Sequence, residues 1–276
     1  MSEHRTHHVT TTDGVTIGAT VHGDGPPLVF LQGIIGDGDL DWQALVPHLS
    51  DRFTCHLPSM RGRGLSGDHP DLRFARQVDD ALAYVGSVAG PVGLVGWSGG
   101  GAMALAVAAR SDAVGAVAPL EPGMLSLADE QEKAALGGAI TYMSELAAEG
   151  SLAAASRAFA GWPFNDEELS TADAVGYFEA AGRYAPNLLD YLRQLMQEGP
   201  TVDDPAVLGA ITAPVLVLHG SDTRPFFRTS AQHVADHVPD ARIQAIPGAA
   251  HASPLTQPDA LAEALIGFFA AARQPA

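Results

Sequence analysis

Six short apolar runs punctuate the chain, at residues 28–31, 53–57, 92–95, 114–118, 215–218 and 243–246, and helical periodicity fills most of the intervals. Mostly apolar runs of four or five residues suit strands covered on both faces, as in a parallel sheet. Residues 74–88 carry Val78, Leu82 and Val85 at helical spacing, and residues 99–109 are nearly all small or apolar, as expected of a helix packed inside. Residues 229–238 and 258–272 read as the later helices, the last headed by Pro258. Residues 9–21, with a Thr-Thr-Asp-Gly turn, read as a hairpin. Strand alternating with helix predicts one doubly wound α/β sheet.

One interval breaks the rhythm. Residues 123–200 show helix-like pattern at 129–149, 151–160 and, in pieces, 167–197, punctuated by Gly161-Trp162-Pro163 and Ala185-Pro186, and no convincing strand. The expected organisation is a core of residues 1–122 and 201–276, with residues 123–200 inserted as a helical cap over one end of the sheet.

Charge and cysteine content exclude several classes of function. Lys and Arg number 15 against 32 Asp and Glu, a net charge of −17, which repels phosphate backbones and anionic lipid. Neither a nucleic acid nor a membrane is expected as partner. The single cysteine, Cys55, excludes an intrachain disulfide framework and reads as a buried packing residue. The first residues lack the apolar segment of a secretory signal, and no apolar run approaches a membrane span, so the expected location is cytoplasmic. No histidine and carboxylate cluster has metal-ligand spacing, and neither metal nor cofactor is expected.

The chemistry concentrates at Gly96-Trp97-Ser98-Gly99-Gly100. In a Gly-x-Ser-x-Gly elbow the serine sits on a tight strand-to-helix turn, where side chains two residues to either side would collide. The strand candidate at 92–95 and the Ala-rich stretch after Gly99 supply that context. A serine hydroxyl needs a base. His251 follows the run at 243–246, and Asp222 follows the run at 215–218, so both fall at the strand ends that also carry Ser98. The order Ser, acid, His is the usual one on this sheet; Asp222 is the preferred acid, and Glu121, after the run at 114–118, is the alternative, its more ordinary role being a hydrogen bond under the cap or beside the histidine loop. For the oxyanion hole, the backbone N–H of Gly99 and that of Ile34, in Gln32-Gly33-Ile34-Ile35-Gly36, are the expected donors.

These pieces, with Arg61-Gly62-Arg63-Gly64-Leu65-Ser66, Leu120-Glu121-Pro122, Gly220-Ser221-Asp222 and Gly248-Ala249-Ala250-His251, resemble the α/β-hydrolase superfamily in its serine-nucleophile, cap-bearing branch. The resemblance implies an eight-stranded, mostly parallel sheet with helices on both faces and a helical cap after the sixth strand. It implies Ser98, Asp222 and His251 as the triad. Gln32 stands where the family commonly has histidine, and Ser59 where it has aspartate. Serine at 98 argues against the epoxide hydrolases and dehalogenases of the family, which use aspartate.

The resulting expectation is an enzyme that hydrolyses a neutral, moderately hydrophobic carboxylic ester or lactone through an acyl-enzyme. Other triad chemistry (C–C or thioester hydrolysis, biosynthetic cyclisation) and non-catalytic binding of a small molecule stay open. Gln32, Trp97, Met124, Met143, Trp162, Tyr177 and Tyr184 are the expected pocket residues. The expected partner is a small-molecule substrate, with the chain a monomer or homodimer.

Overall fold

The computed structural model describes residues 5–198 and 202–272. Eight strands form one sheet: β1 (Arg5–Thr10), β2 (Thr16–His22), β3 (Pro27–Leu31), β4 (Thr54–Pro58), β5 (Val92–Trp97), β6 (Val114–Leu120), β7 (Val215–Gly220) and β8 (Ala241–Ile246). Their order is β1-β2-β4-β3-β5-β6-β7-β8. β2 runs antiparallel to both its neighbours, and every pair from β4 to β8 is parallel. After β3 the chain returns to place β4 on one side; β5 then lies on the other. The loops leaving β3 and β5 therefore diverge and open a crevice at the carboxyl ends of the strands.

Helices α1 (Gly38–Trp42), α2 (Phe74–Ser87), α3 (Gly99–Ala108), α9 (Pro205–Gly209), α10 (Pro225–His237), α11 (Ser253–Thr256) and α12 (Pro258–Ala271) belong to the sheet's connections. Between β6 and β7 lie α4 (Glu130–Ala148), α5 (Leu152–Ala160), α6 (Asp166–Ala174), α7 (Tyr177–Ala181) and α8 (Ala185–Glu198), with no strand among the described residues of that interval. The boundary expected at 200–201 lies outside the described residues. Gly176, at φ +72°, makes the turn between α6 and α7, and Pro186 stands in the first turn of α8, where its missing N–H costs nothing.

The strands alternate in period two. Leu28 and Phe30 enter one apolar layer, with Phe269 and Leu265 of α12; Val29 and Leu31 enter the other, with Val78 of α2 and Leu105 of α3. Nine of the ten residues of α3 are buried, which accounts for its Gly and Ala content: small side chains let its backbone approach the sheet closely. Cys55 is buried in the first layer, and burial pushes its thiol up to about 12, so it is inert at neutral pH. β8 departs from expectation. It is an edge strand with residues 242–245 exposed, not a strand buried on both faces.

Candidate active site

Ser98 stands between β5 and α3 at φ 57° and ψ −118°, a backbone region that non-glycine residues rarely enter. The glycines around it are there for steric reasons. A Cβ on Gly96 would lie 2.1 Å from the Gly100 carbonyl oxygen, and one on Gly100 would lie 2.2 Å from that of Gln32. The turn is tied to the neighbouring strand end: the Ser98 N–H donates to the Leu120 carbonyl at 2.9 Å, and the Gly123 N–H donates to the Ser98 carbonyl at 3.2 Å.

The carboxylate that meets the histidine is Glu121. It is wholly buried at the end of β6, at φ 51°, and its Oε2 lies 3.1 Å from His251 Nδ1. The same oxygen accepts from Thr223 Oγ1 at 2.6 Å, and Oε1 accepts from the Gly220 N–H at 2.7 Å. Asp222, the acid preferred on sequence grounds, is exposed; its Oδ1 accepts from Ser221 Oγ at 3.0 Å, and it makes no hydrogen bond to His251. The reason is the path of the 220–223 turn. The Asp222 N–H is drawn to the Ala249 carbonyl at 2.9 Å, which turns Gly220 and Thr223 inward and leaves the Asp222 side chain outside.

His251 is 2% exposed. Its ring stacks on Phe227 of α10 with centroids 4.0 Å apart, and its carbonyl accepts from Trp97 Nε1 at 2.8 Å. The Glu121 carboxylate fixes the proton on Nδ1, so Nε2 is the acceptor nitrogen. Neither Nε2 nor Ser98 Oγ makes a hydrogen bond among the described residues. A third carboxylate backs the histidine loop: Glu168 of α6, 3% exposed, accepts backbone N–H groups from residues 250 to 252.

The loop after β3 is held from below. Gln32 Nε2 donates to the Gly36 carbonyl at 2.7 Å and its Oε1 accepts from the Met60 N–H at 2.9 Å. Arg63 Nη1 donates to the carbonyls of Ile34 (2.7 Å) and Gly36 (2.9 Å), and the Gly33 N–H donates to Asp41 Oδ2 at 2.7 Å. The N–H groups of Ile34 and Gly99 have no acceptor among the described residues, and both residues line the cavity that Ser98 faces. That cavity measures about 270 Å³. Its walls include Phe159, Trp162, Leu192 and Phe227; Gly137 of α4 and Met196 of α8, 65% exposed, mark its opening.

Of the seven expected pocket residues only Trp162 lines this cavity, its Nε1 held by Glu132 at 3.1 Å. Gln32 is buried in the loop support just described, and Trp97 packs against His251. Met124 and Met143 are buried in the apolar layers instead. Tyr177 donates to Asp41 Oδ1 at 2.7 Å and Tyr184 to Asp37 Oδ2 at 2.5 Å, so both phenols dock the helical insert onto the core. Phe227, which the sequence reading did not single out, is signalled only by the Phe226-Phe227 pair behind Pro225.

Burial pushes the Asp41 carboxyl up to about 7; the Tyr177 and Gly33 hydrogen bonds oppose that rise and Asp37 adds to it. Between the unfolded value near 4 and 7, the unfolded chain ionises while the folded protein holds its proton, so Asp41 withdraws stability as pH rises through this window. Asp41→Asn should therefore gain on the parent between pH 4 and 8, by up to about 4 kcal/mol at ~1.4 kcal/mol per pKa unit. Paired thermal unfolding curves at both pH values check this, and a constant difference refutes it.

Residues 26–258 match the family model of the alpha/beta hydrolase fold. The chain belongs to the alpha/beta hydrolase family. An alpha/beta hydrolase from Sphaerobacter thermophilus superposes with a TM-score of 0.75 at 25% identity, covering 95% of this chain and 100% of that one. A thermophilic esterase from Thermogutta terrifontis has the same fold, with a TM-score of 0.75 at 22% identity over 98% of this chain and 100% of that one. The pyrrolizixenacetamide deacetylase of Xenorhabdus hominickii is 31% identical over 91 residues, 32% of this chain and 34% of that protein, so the match spans about a third of that relative. No helix among the described residues is long and apolar enough to cross a membrane.

Proposed function

We propose that this alpha/beta hydrolase cleaves a neutral, moderately hydrophobic carboxylic ester through an acyl-enzyme, with Ser98 as nucleophile, His251 as general base and Glu121 as its acid. The observation that carries the reading is the buried contact of 3.1 Å between Glu121 and His251 at the strand edge that also presents Ser98. As Ser98 Oγ attacks the carbonyl, His251 Nε2 takes its proton and Glu121 stabilises the imidazolium. The free N–H groups of Ile34 and Gly99 receive the negative oxygen. His251 then protonates the leaving alcohol, water attacks the acyl-enzyme by the same relay, and the acid is released. Residues 123–200 act as the cap that closes the pocket.

The cavity wall supports a neutral substrate. Its polar side chains besides Ser98 are Ser126, Lys133, Tyr191 and Trp162; Lys133 is already paired with Glu130 at 2.8 Å and Trp162 Nε1 with Glu132 at 3.1 Å. The deacetylase relative favours a second reading, removal of a short acyl group from an amide.

A fluorophosphonate probe followed by peptide mass spectrometry should place its adduct on Ser98. A p-nitrophenyl ester series should peak at acyl chains of about four to eight carbons and fall steeply beyond twelve. Turnover of acetanilides in preference to all esters would select the second reading. Absence of both an adduct and any turnover would overturn the hydrolase reading.

A further inference from the structure

Glu168 sits at the third position of α6, in the helical insert, yet most of its hydrogen bonds reach across to the core. Oε1 accepts from the Ala252 N–H at 2.7 Å and the Ala250 N–H at 3.2 Å; Oε2 accepts from the His251 N–H at 3.2 Å. Three consecutive backbone donors thus converge on one buried carboxylate, and the middle one belongs to the histidine. The remaining donor, the Asn165 N–H at 3.2 Å, closes the capping box of α6, in which the Asn165 side chain accepts from the Glu168 N–H at 2.8 Å. Glu168 does not line the cavity, and its carboxylate oxygens are taken up by backbone N–H groups.

A carboxylate cupped by successive N–H groups fixes the backbone that carries them. Here the backbone so fixed decides where the imidazole lies. The ring has one carboxylate partner, Glu121, and a stacking face on Phe227; the main chain is held at the His251 carbonyl by Trp97 Nε1 at 2.8 Å, and at the N–H groups of residues 250 to 252 by Glu168. Without Glu168 the three N–H groups lose their acceptor, and a buried loop with unpaired donors rearranges to find others.

We propose that Glu168 is a positioning residue: the insert, through this side chain, clamps the histidine loop, so that seating the insert and aligning His251 with Glu121 are one event. The proposal rests on His251 being the base of the proposed function. It says more than that α6 packs on the core, because it makes a residue remote from the substrate set the rate and not the affinity.

The test compares Glu168→Ala and Glu168→Gln with Asn165→Ala, which weakens the same capping box from its other side and leaves the histidine loop its acceptor. Two readouts are taken on the full chain: kcat and KM for the best p-nitrophenyl ester, and the downfield proton resonance of His251 Nδ1–H in its bond to Glu121. Glu168→Ala should lower kcat about 100-fold, the scale of a 1 Å misplacement, with KM within threefold, and should abolish the resonance. Glu168→Gln keeps the shape and one acceptor oxygen and should recover part of both; it carries the test if the alanine variant does not fold. Asn165→Ala should keep kcat within threefold and retain the resonance. Unchanged kcat and an unchanged resonance in either Glu168 variant would overturn the proposal, as would an equal loss in Asn165→Ala. Because the resonance needs no turnover, a protein without esterase activity would still decide this point, and the function would then fail alone.

Discussion

Glu121→Gln will lower kcat/KM for ester substrates by about 10,000-fold, while Asp222→Asn will stay within twofold of the parent. Both are carboxylates at neighbouring strand ends, and the structure separates them by environment. Glu121 is buried, accepts from Gly220 and Thr223, and faces His251 Nδ1. Asp222 is in solvent. A glutamine at 121 presents an amide N–H where an acceptor is needed, which selects the imidazole tautomer protonated on Nε2 and blocks proton uptake from Ser98. The expected result is a loss in kcat with the protein still folded, checked by steady-state kinetics beside thermal unfolding. The reverse pattern, a large loss in Asp222→Asn and a small one in Glu121→Gln, would return the acid to β7.

Arg63→Met will cost about 100- to 1,000-fold in kcat and about 3–5 kcal/mol in stability. Arg63 is 1% exposed and its guanidinium holds three groups at once: the Ile34 and Gly36 carbonyls and Asn187 Oδ1 at 2.9 Å. Methionine fills much of the volume and makes none of these bonds. The stability cost comes from leaving buried acceptors unpaired. The catalytic cost comes from releasing the peptide next to the Ile34 N–H, one of the two proposed oxyanion donors. Denaturant unfolding measures the first and kcat the second; a variant that loses stability but keeps kcat would remove Ile34 from the oxyanion hole.

The fold was legible because its signals are local. Apolar runs such as 28–31 and 215–218 mark strands wherever they pair, and the glycines at 96 and 100 mark a turn too tight for other residues. The carboxylate that meets the histidine was not legible in the same way. Glu121 and Asp222 each follow an apolar run, and the choice between them depends on where the Gly220 and Thr223 donors point, which the turn's contact with Ala249 decides. One trace was present: Glu121 lies in Pro119-Leu120-Glu121-Pro122, where a charge beside an apolar strand between two prolines needs buried partners. The pocket failed for another reason. Aromatics at helical spacing in the insert suit a cavity wall or a docking contact equally well, and Tyr177 and Tyr184 chose buried aspartates on the core. Glu168 carried no sequence signal of its contact, since its reach to residues 250–252 spans more than 80 positions.

The tyrosines that dock the insert have a mechanical consequence. Tyr177 shares Asp41 with the Gly33 N–H, and Tyr184 shares Asp37 with the N-terminus of α1, so the arm from α6 to α8 is bolted to the loop that Ile34 belongs to. That arm cannot swing up like a hinged door without unfastening the machinery beneath it. The exposed part of the cavity wall lies away from those bolts, at the far end of α8, where Gly137 of α4 offers no side chain and Met196 reaches into solvent.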